Sequence, residues 1–114
     1  SIHHCLNIVT DKKDFASGVL IRAVFIPKKN ERIASGPGLV TRTFGIDISF
    51  NSLEVINNNL LWISQGDSTV KQKDLIQTTR IGISKAKNIK WRWYLKNSRS
   101  VSKRLKGDRT PKFK

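Results

Sequence analysis

With a single cysteine, Cys5, the chain cannot close an intrachain disulfide, so its fold is held without covalent cross-links. That usage suits a reducing compartment. Methionine is absent, and histidine occurs only at His3 and His4. Adjacent strand residues point to opposite faces, so these two cannot grip one ion together. With no other His, neither a zinc site nor any other metal site is expected. No apolar run approaches the ~18 residues a membrane helix needs, and the N-terminus lacks the regions of a signal peptide. A soluble, unexported protein without a membrane partner is expected. Nucleophile elbow, metalloprotease helix and dinucleotide fingerprint are also missing. Cys5 reads as a small buried apolar residue rather than a nucleophile.

Acidic residues are scarce too. Eight Asp and Glu face 22 Lys and Arg among 114 residues, for a net charge of +14. Residues 85–114 hold twelve Lys or Arg and one Asp, so most of the excess lies at that end. Such a cationic end attracts polyanions, nucleic acid first among them. For residues 98–114, a solvated flexible tail and a DNA-contacting arm fit equally well. The length suits one domain with one modest core.

What is present is mostly strand-like. Ile2 to Val9 alternates, Asp11 to Asp14 is a polar turn, and Gly18 to Pro27 reads as a long, mostly buried strand. The two predict a hairpin, followed by a charged loop at residues 28–32. Ser35-Gly36-Pro37-Gly38 opens a short helix that runs to about Phe44 and stops at Gly45. Its β-branched Val40, Thr41 and Thr43 give it mediocre propensity. Residues 46–59 read as irregular. Further strands are expected at Leu60–Ser64, Leu75–Ile83 and Lys90–Lys96. In the last, Trp91, Trp93 and Leu95 share one face, expected to be core. Arg92, Tyr94 and Lys96 share the other, which either solvates or meets nucleic acid. The sum is an α+β domain: a mostly antiparallel sheet with a few short helices over residues 1–97, then a basic, flexible tail over 98–114.

Two residues stand out against their surroundings. Arg22 interrupts Val19-Leu20-Ile21-Arg22-Ala23-Val24-Phe25-Ile26, and a charge there needs an acid partner or a functional cavity. Asn7 interrupts Cys5-Leu6-Asn7-Ile8-Val9 more mildly. Both also fit a structural hydrogen-bonding role. The Ser35–Gly38 segment lacks the spacing and Lys of a P-loop. Its amides can accept a phosphate, although an ordinary loop-to-helix junction reads slightly better. Composition and spacing alone stop at a small basic nucleic-acid-binding domain.

Several ordered segments resemble the alkyladenine (3-methyladenine) DNA glycosylase family. They are His4-Cys5-Leu6-Asn7-Ile8, Gly18-Val19-Leu20-Ile21-Arg22-Ala23-Val24, Ser35-Gly36-Pro37-Gly38 through Phe44-Gly45-Ile46, Leu61-Trp62-Ile63, Arg80-Ile81-Gly82-Ile83 and Lys90-Trp91-Arg92-Trp93-Tyr94-Leu95. The resemblance implies a monomer, with a fold like the C-terminal domain of methionyl-tRNA formyltransferase, that needs no cofactor. It implies flipping of a damaged purine out of double-stranded DNA and hydrolysis of its N-glycosidic bond, leaving an abasic site. Arg22 then matches the arginine that helps hold the catalytic water, and the Ile81 carbonyl matches the other group on that water. Asn7 matches the pocket amide that clashes with the guanine amino group. Leu20 and Ile2 match apolar positions beside the base. His3, Ser35, Gly36, Gly82, Arg92 and Lys96 fall on the DNA side. A cytoplasmic, bacterial setting on the nucleoid is implied.

The sequence also departs from the family pattern. The family's Glu-x-Glu-Ala-Tyr segment, carrying the catalytic carboxylate, corresponds to nothing in these 114 residues, so the chain alone is expected to be inactive. Leu39 stands where a Lys usually follows Gly-Pro, so one phosphate contact is expected to be lost, and the loop at residues 28–34 is shorter than the family's, so its DNA contacts are not carried over. The alternative is a non-catalytic basic module binding DNA, tRNA or rRNA, with a ribosome-associated basic protein as a blander third reading.

Overall fold

The computed structural model describes residues 4–10, 17–56, 58–66, 70–82 and 85–113. Ile2, His3, the Asp11–Asp14 turn and Ile83 lie outside them. Strand β1 (Leu6–Val9) pairs antiparallel with β2 (Gly18–Ile21), Leu6 opposite Ile21 and Val9 opposite Gly18. The hairpin is therefore as expected, but β2 stops well short of Pro27. Beyond it the chain keeps one bridge, Ala23 to Ser35, and one bond, Val24 N–H to the Ala34 carbonyl at 3.0 Å. The chain then turns through Lys28, at φ 66°, before a longer ladder can form. Nor is the segment mostly buried: Val19 and Phe25 are more than half exposed, because this hairpin has only one covered side.

Helix α1 (Pro37–Phe44) begins and ends where Pro37 and Gly45 place it. Gly45 adopts the left-handed conformation, φ 66°, and the Ile46 N–H closes the helix end on the Thr41 carbonyl at 2.8 Å. Tertiary contacts offset the weak propensity. Val40 is fully buried, and the Thr41 hydroxyl donates to the His4 carbonyl at 2.9 Å. The Thr43 hydroxyl donates to the Ile33 carbonyl at 2.9 Å. The β-branched threonines that weaken the helix locally are the ones that fasten it to the neighbouring chain. Cys5, beside His4, is exposed rather than buried.

Short 3₁₀ turns follow at Ile48–Phe50 and Gln72–Asp74. No strand forms at Leu60–Ser64. The segment keeps a single backbone bond, Ile63 N–H to the Val55 carbonyl, and Leu60, Trp62 and Ile63 are exposed. An apolar run without a partner edge among the described residues cannot make a ladder. The second sheet pairs β3 (Leu75–Thr78) antiparallel with β4 (Arg92–Leu95), Ile76 opposite Tyr94 and Gln77 opposite Trp93. β3 ends at Thr78, earlier than its apolar pattern suggested.

The two faces of β4 are reversed relative to expectation. Tyr94 is 8% exposed, while Trp91, Trp93 and Leu95 are 57%, 54% and 41% exposed. The cause lies downstream. Residues 98–113 fold back over the Tyr94 face, where Arg104 and Asp108 engage its ring and hydroxyl. A strand pattern cannot foresee that a polar segment will cover its polar face.

Arginines join the two sheets. Arg99 Nε donates to both Glu31 carboxylate oxygens at 2.7 and 2.9 Å, and Arg32 Nη1 donates to the Arg99 and Val101 carbonyls at 2.8 and 3.0 Å. Arg99 also donates to the Pro111 carbonyl and stacks on Phe113, 3.8 Å from the ring centre. Only Ala34, Val40, Ile46 and Tyr94 are buried hydrophobics among the described residues. The architecture is α+β: two antiparallel two-stranded sheets with one α-helix.

Gly36, just before α1, sits at φ 142°, ψ 152°, a conformation that side chains essentially never adopt, although open space surrounds it. Gly36→Ala should therefore destabilise the chain by about 1–3 kcal/mol through backbone strain alone. Gly66, also in open space but without that strain, provides the control: Gly66→Ala should leave the urea midpoint unchanged.

Candidate functional site

Pairing of β1 with β2 places Asn7 directly opposite Leu20. Directly opposed residues share a face, so these two form a continuous polar–apolar patch. Asn7 is exposed and Leu20 half-buried. Arg22 follows Leu20 by two residues, and the alternation carries it to the same side. It is half-buried, and among the described residues no acid lies within ion-pairing distance of it.

Arg22 instead acts on another arginine. Burial, and then the nearby Arg22 charge, lower the Arg92 guanidinium from its ordinary pKa. Arg92 is fixed by donation from Nε to the Thr79 carbonyl at 2.7 Å and from Nη1 to the Lys103 carbonyl at 2.8 Å. It thus ties the end of β3 to the tail, with the like charge of Arg22 nearby. Ile81 lies two residues past Thr79, half-buried, and Gly82 follows at φ 67°, exposed. Asn7, Leu20 and Arg22 therefore share one face of the hairpin, the Arg92 charge lies near Arg22, and Ile81 is close in sequence to the group that Arg92 holds.

A second locus is the start of α1. Ser35 is buried, and its Oγ has no hydrogen-bond partner among the described residues. Gly36 opens the helix without a side-chain cap. An open, mostly apolar depression there is lined by Gly36, Pro37, Gly38, Leu39 and Arg42. Uncapped amides and the helix dipole favour an anion at such an end. Arg42 escaped the sequence reading, although it follows Gly38 by four residues and so shares its helix face. Lys96 stands apart from both loci; it is exposed, and its N–H donates to the Asp74 carbonyl at 2.8 Å.

The described acids are largely engaged elsewhere. Glu31 holds Arg99, and Asp47 accepts from the Ser49 N–H at 2.9 Å. Asp108 pairs with Arg104 at 3.0 Å. Among the described residues no three His, Cys, Asp or Glu side chains gather, and no helix is long and apolar enough to cross a membrane.

The family model for Methylpurine-DNA glycosylase (MPG) matches residues 1–99. The chain belongs to this family. Among relatives whose names propose them as 3-methyladenine DNA glycosylases, one from Trichodesmium erythraeum is 40% identical over 90% of the chain and 59% of its own length. One from Synechococcus sp. is 39% identical over 89% of the chain and 60% of its own length. One from Carboxydothermus hydrogenoformans is 36% identical over 90% and 60%. The chain thus spans about three-fifths of the length of the curated relatives it matches. No solved structure matches it.

Within this family member the tail is braced by one polar cluster. The Tyr94 hydroxyl donates to Asp108 and accepts from the Leu105 N–H at 3.2 Å, while Arg104 lies over the ring at 5.4 Å. The Tyr94 hydrogen bond, followed by Arg104, holds the Asp108 carboxyl below its usual range. Burial first, then the bond to Asp108, raises the Tyr94 phenol. A depressed acid stabilises the fold above its unfolded pKa and loses that contribution as pH falls through the folded value. A raised phenol stabilises below its unfolded pKa, about 10, and loses that as pH rises through the folded value. Unfolding midpoints should therefore drop below about pH 4 and above about pH 10. Tyr94→Phe should flatten the alkaline arm and weaken the acid arm, as read by thermal melts across pH.

Proposed function

We propose that this chain supplies the water-positioning and base-selecting part of a DNA-repair glycosylase that flips alkylated or deaminated purines out of duplex DNA. Such an enzyme hydrolyses the N-glycosidic bond and leaves an abasic site. The observation that carries the reading is the convergence, within a family-matched chain, of Asn7, Leu20 and Arg22 on one face of the first hairpin. Leu20 provides an apolar wall for a flipped base. Asn7 presents an amide that opposes the guanine 2-amino group, so that normal guanine is refused. Arg22 and the Ile81 carbonyl hold water as donor and acceptor. Ile2 belongs with the apolar wall and His3 with the minor-groove side.

The transition state at the sugar is cationic, so a carboxylate has to activate the water and stabilise the charge. No described acid stands beside Arg22, and in this reading the 114 residues release no base unaided. The start of α1, with Ser35 and Gly36, receives a backbone phosphate, and Gly82, Arg92 and Lys96 lie along the duplex. The reading implies a monomer without cofactor, working in a bacterial cytoplasm on the nucleoid.

The runner-up is a basic binding module for DNA or structured RNA, favoured by the missing carboxylate. Both readings predict affinity that falls steeply with salt. Only the glycosylase reading predicts discrimination. Fluorescence anisotropy should show tighter binding to a duplex with a tetrahydrofuran abasic analogue than to the same duplex undamaged or to an RNA hairpin of equal length. Equal affinities for the three would hand the lead to the binding module. In a hybrid carrying the unmatched segment of the Trichodesmium relative and releasing hypoxanthine, Arg22→Ala should slow that release by roughly 10²-fold or more. An unchanged rate would remove Arg22 from the reaction.

A further inference from the structure

The chain exposes more surface than its mass warrants. Its accessible surface is 9761 Å², whereas a folded monomer of 13.0 kDa exposes about 6,300 Å². Its radius of gyration is 15.0 Å, against about 13 Å for a compact domain of this length. Exposed apolar side chains are spread along the chain, and two of its three tryptophans share the outward face of the β3–β4 sheet. There the register sets Leu75 opposite Leu95 and Gln77 opposite Trp93, and Trp91 continues the alternation. Two half-exposed tryptophans and a leucine on one face of a short strand are a large unburied apolar load, of the kind that marks an interaction surface.

We propose that this face is a docking surface for the polypeptide equivalent to the two-fifths of the relatives' length that this chain does not span, whether joined to it or supplied separately. The surface excess leaves apolar area for a partner to cover, and the relatives, of which the chain covers 59–60%, carry further polypeptide of the length to cover it. Two other occupants fit less well. A second copy would bring +14 against +14, which opposes association. A single nucleic-acid strand needs cations interleaved with its stacking rings. Here the interleaved residues, Arg92 and Tyr94, turn to the other face, and the Arg92 guanidinium is held by the Thr79 and Lys103 carbonyls. The inference rests on family membership and surface accounting, not on the catalytic reading, so either can fail without the other.

The test uses Trp62→Phe, so that indole emission reports Trp91 and Trp93 alone. The unmatched segment of the Trichodesmium relative is added as a separate polypeptide. Emission should shift to the blue and acrylamide quenching should fall, saturating at one segment per chain. Trp93→Lys combined with Leu95→Lys, at exposed positions that leave the circular dichroism unchanged, should weaken association by at least about tenfold. Should the separate segment be insoluble, a fusion in the relative's order is read by the same quenching, which should fall relative to the chain alone. No change in either format overturns the proposal. So does an equal blue shift with oligothymidine, or one that grows with chain concentration in the segment's absence.

Discussion

The contact on which the two halves of the structure depend is the ion pair between Glu31 and Arg99. It spans 68 residues and joins the charged loop after the first hairpin to the segment after the second. A lone exposed ion pair contributes about 0–1 kcal/mol. This one is half-buried, has both carboxylate oxygens sharing the single Nε–H, and is continued by Arg32 onto two carbonyls of the same segment and by Arg99 onto Pro111 and Phe113. Charge-assisted hydrogen bonds of that kind contribute about 1.5–3 kcal/mol each. With only four buried hydrophobics among the described residues, polar staples carry a share of the tertiary structure that an apolar core ordinarily carries.

That arrangement changes the meaning of the positive charge. By composition the C-terminal end is a uniform cationic arm. In the structure its arginines and lysines divide. Arg92, Arg99 and Arg104 are spent on carbonyls, carboxylates and aromatic rings within the chain. Lys103, Lys106, Arg109 and Lys112 are exposed. Arginine's planar fork suits the internal role and the hydrated ammonium of lysine suits the outer one. In the proposed reading, phosphates would therefore meet mainly lysines from this end.

Local signals were legible in the sequence, and long-range ones were not. Pro37 and Gly45 marked both ends of the helix because each acts through its own backbone conformation. The hairpin of β1 and β2 was legible because its strands are neighbours in sequence and share an alternating pattern. The expected strand at Leu60–Ser64 failed because apolar content does not supply a pairing edge. The faces of β4 were not legible because the decision belonged to Tyr94 and Asp108, which meet 14 residues apart across irregular chain, with Arg104 between them. Of the candidate site, Asn7 and Arg22 were legible as intrusions in apolar strands. Their shared face with Leu20 needed the register, and the bracing of Arg92 on Thr79 and Lys103 needed the fold.

Arg22 shows how packing and chemistry are coupled here. It is a half-buried cation whose nearby charged neighbour, Arg92, is of like sign. Two guanidiniums near one another raise the cost of burying either one, and the lowered Arg92 value expresses that cost. A carboxylate introduced beside them would be held ionised by both charges, and its attraction to each would offset their mutual repulsion. An anion at this position would thus be stabilised by the site and would stabilise it in turn. The same exchange would keep the acid in the deprotonated state that a general base requires. In the proposed reading, the polypeptide that covers the tryptophan face and the one that brings the carboxylate are the same. Apolar burial would then offset the electrostatic cost of assembling the site, so folding and catalysis would be completed in one step.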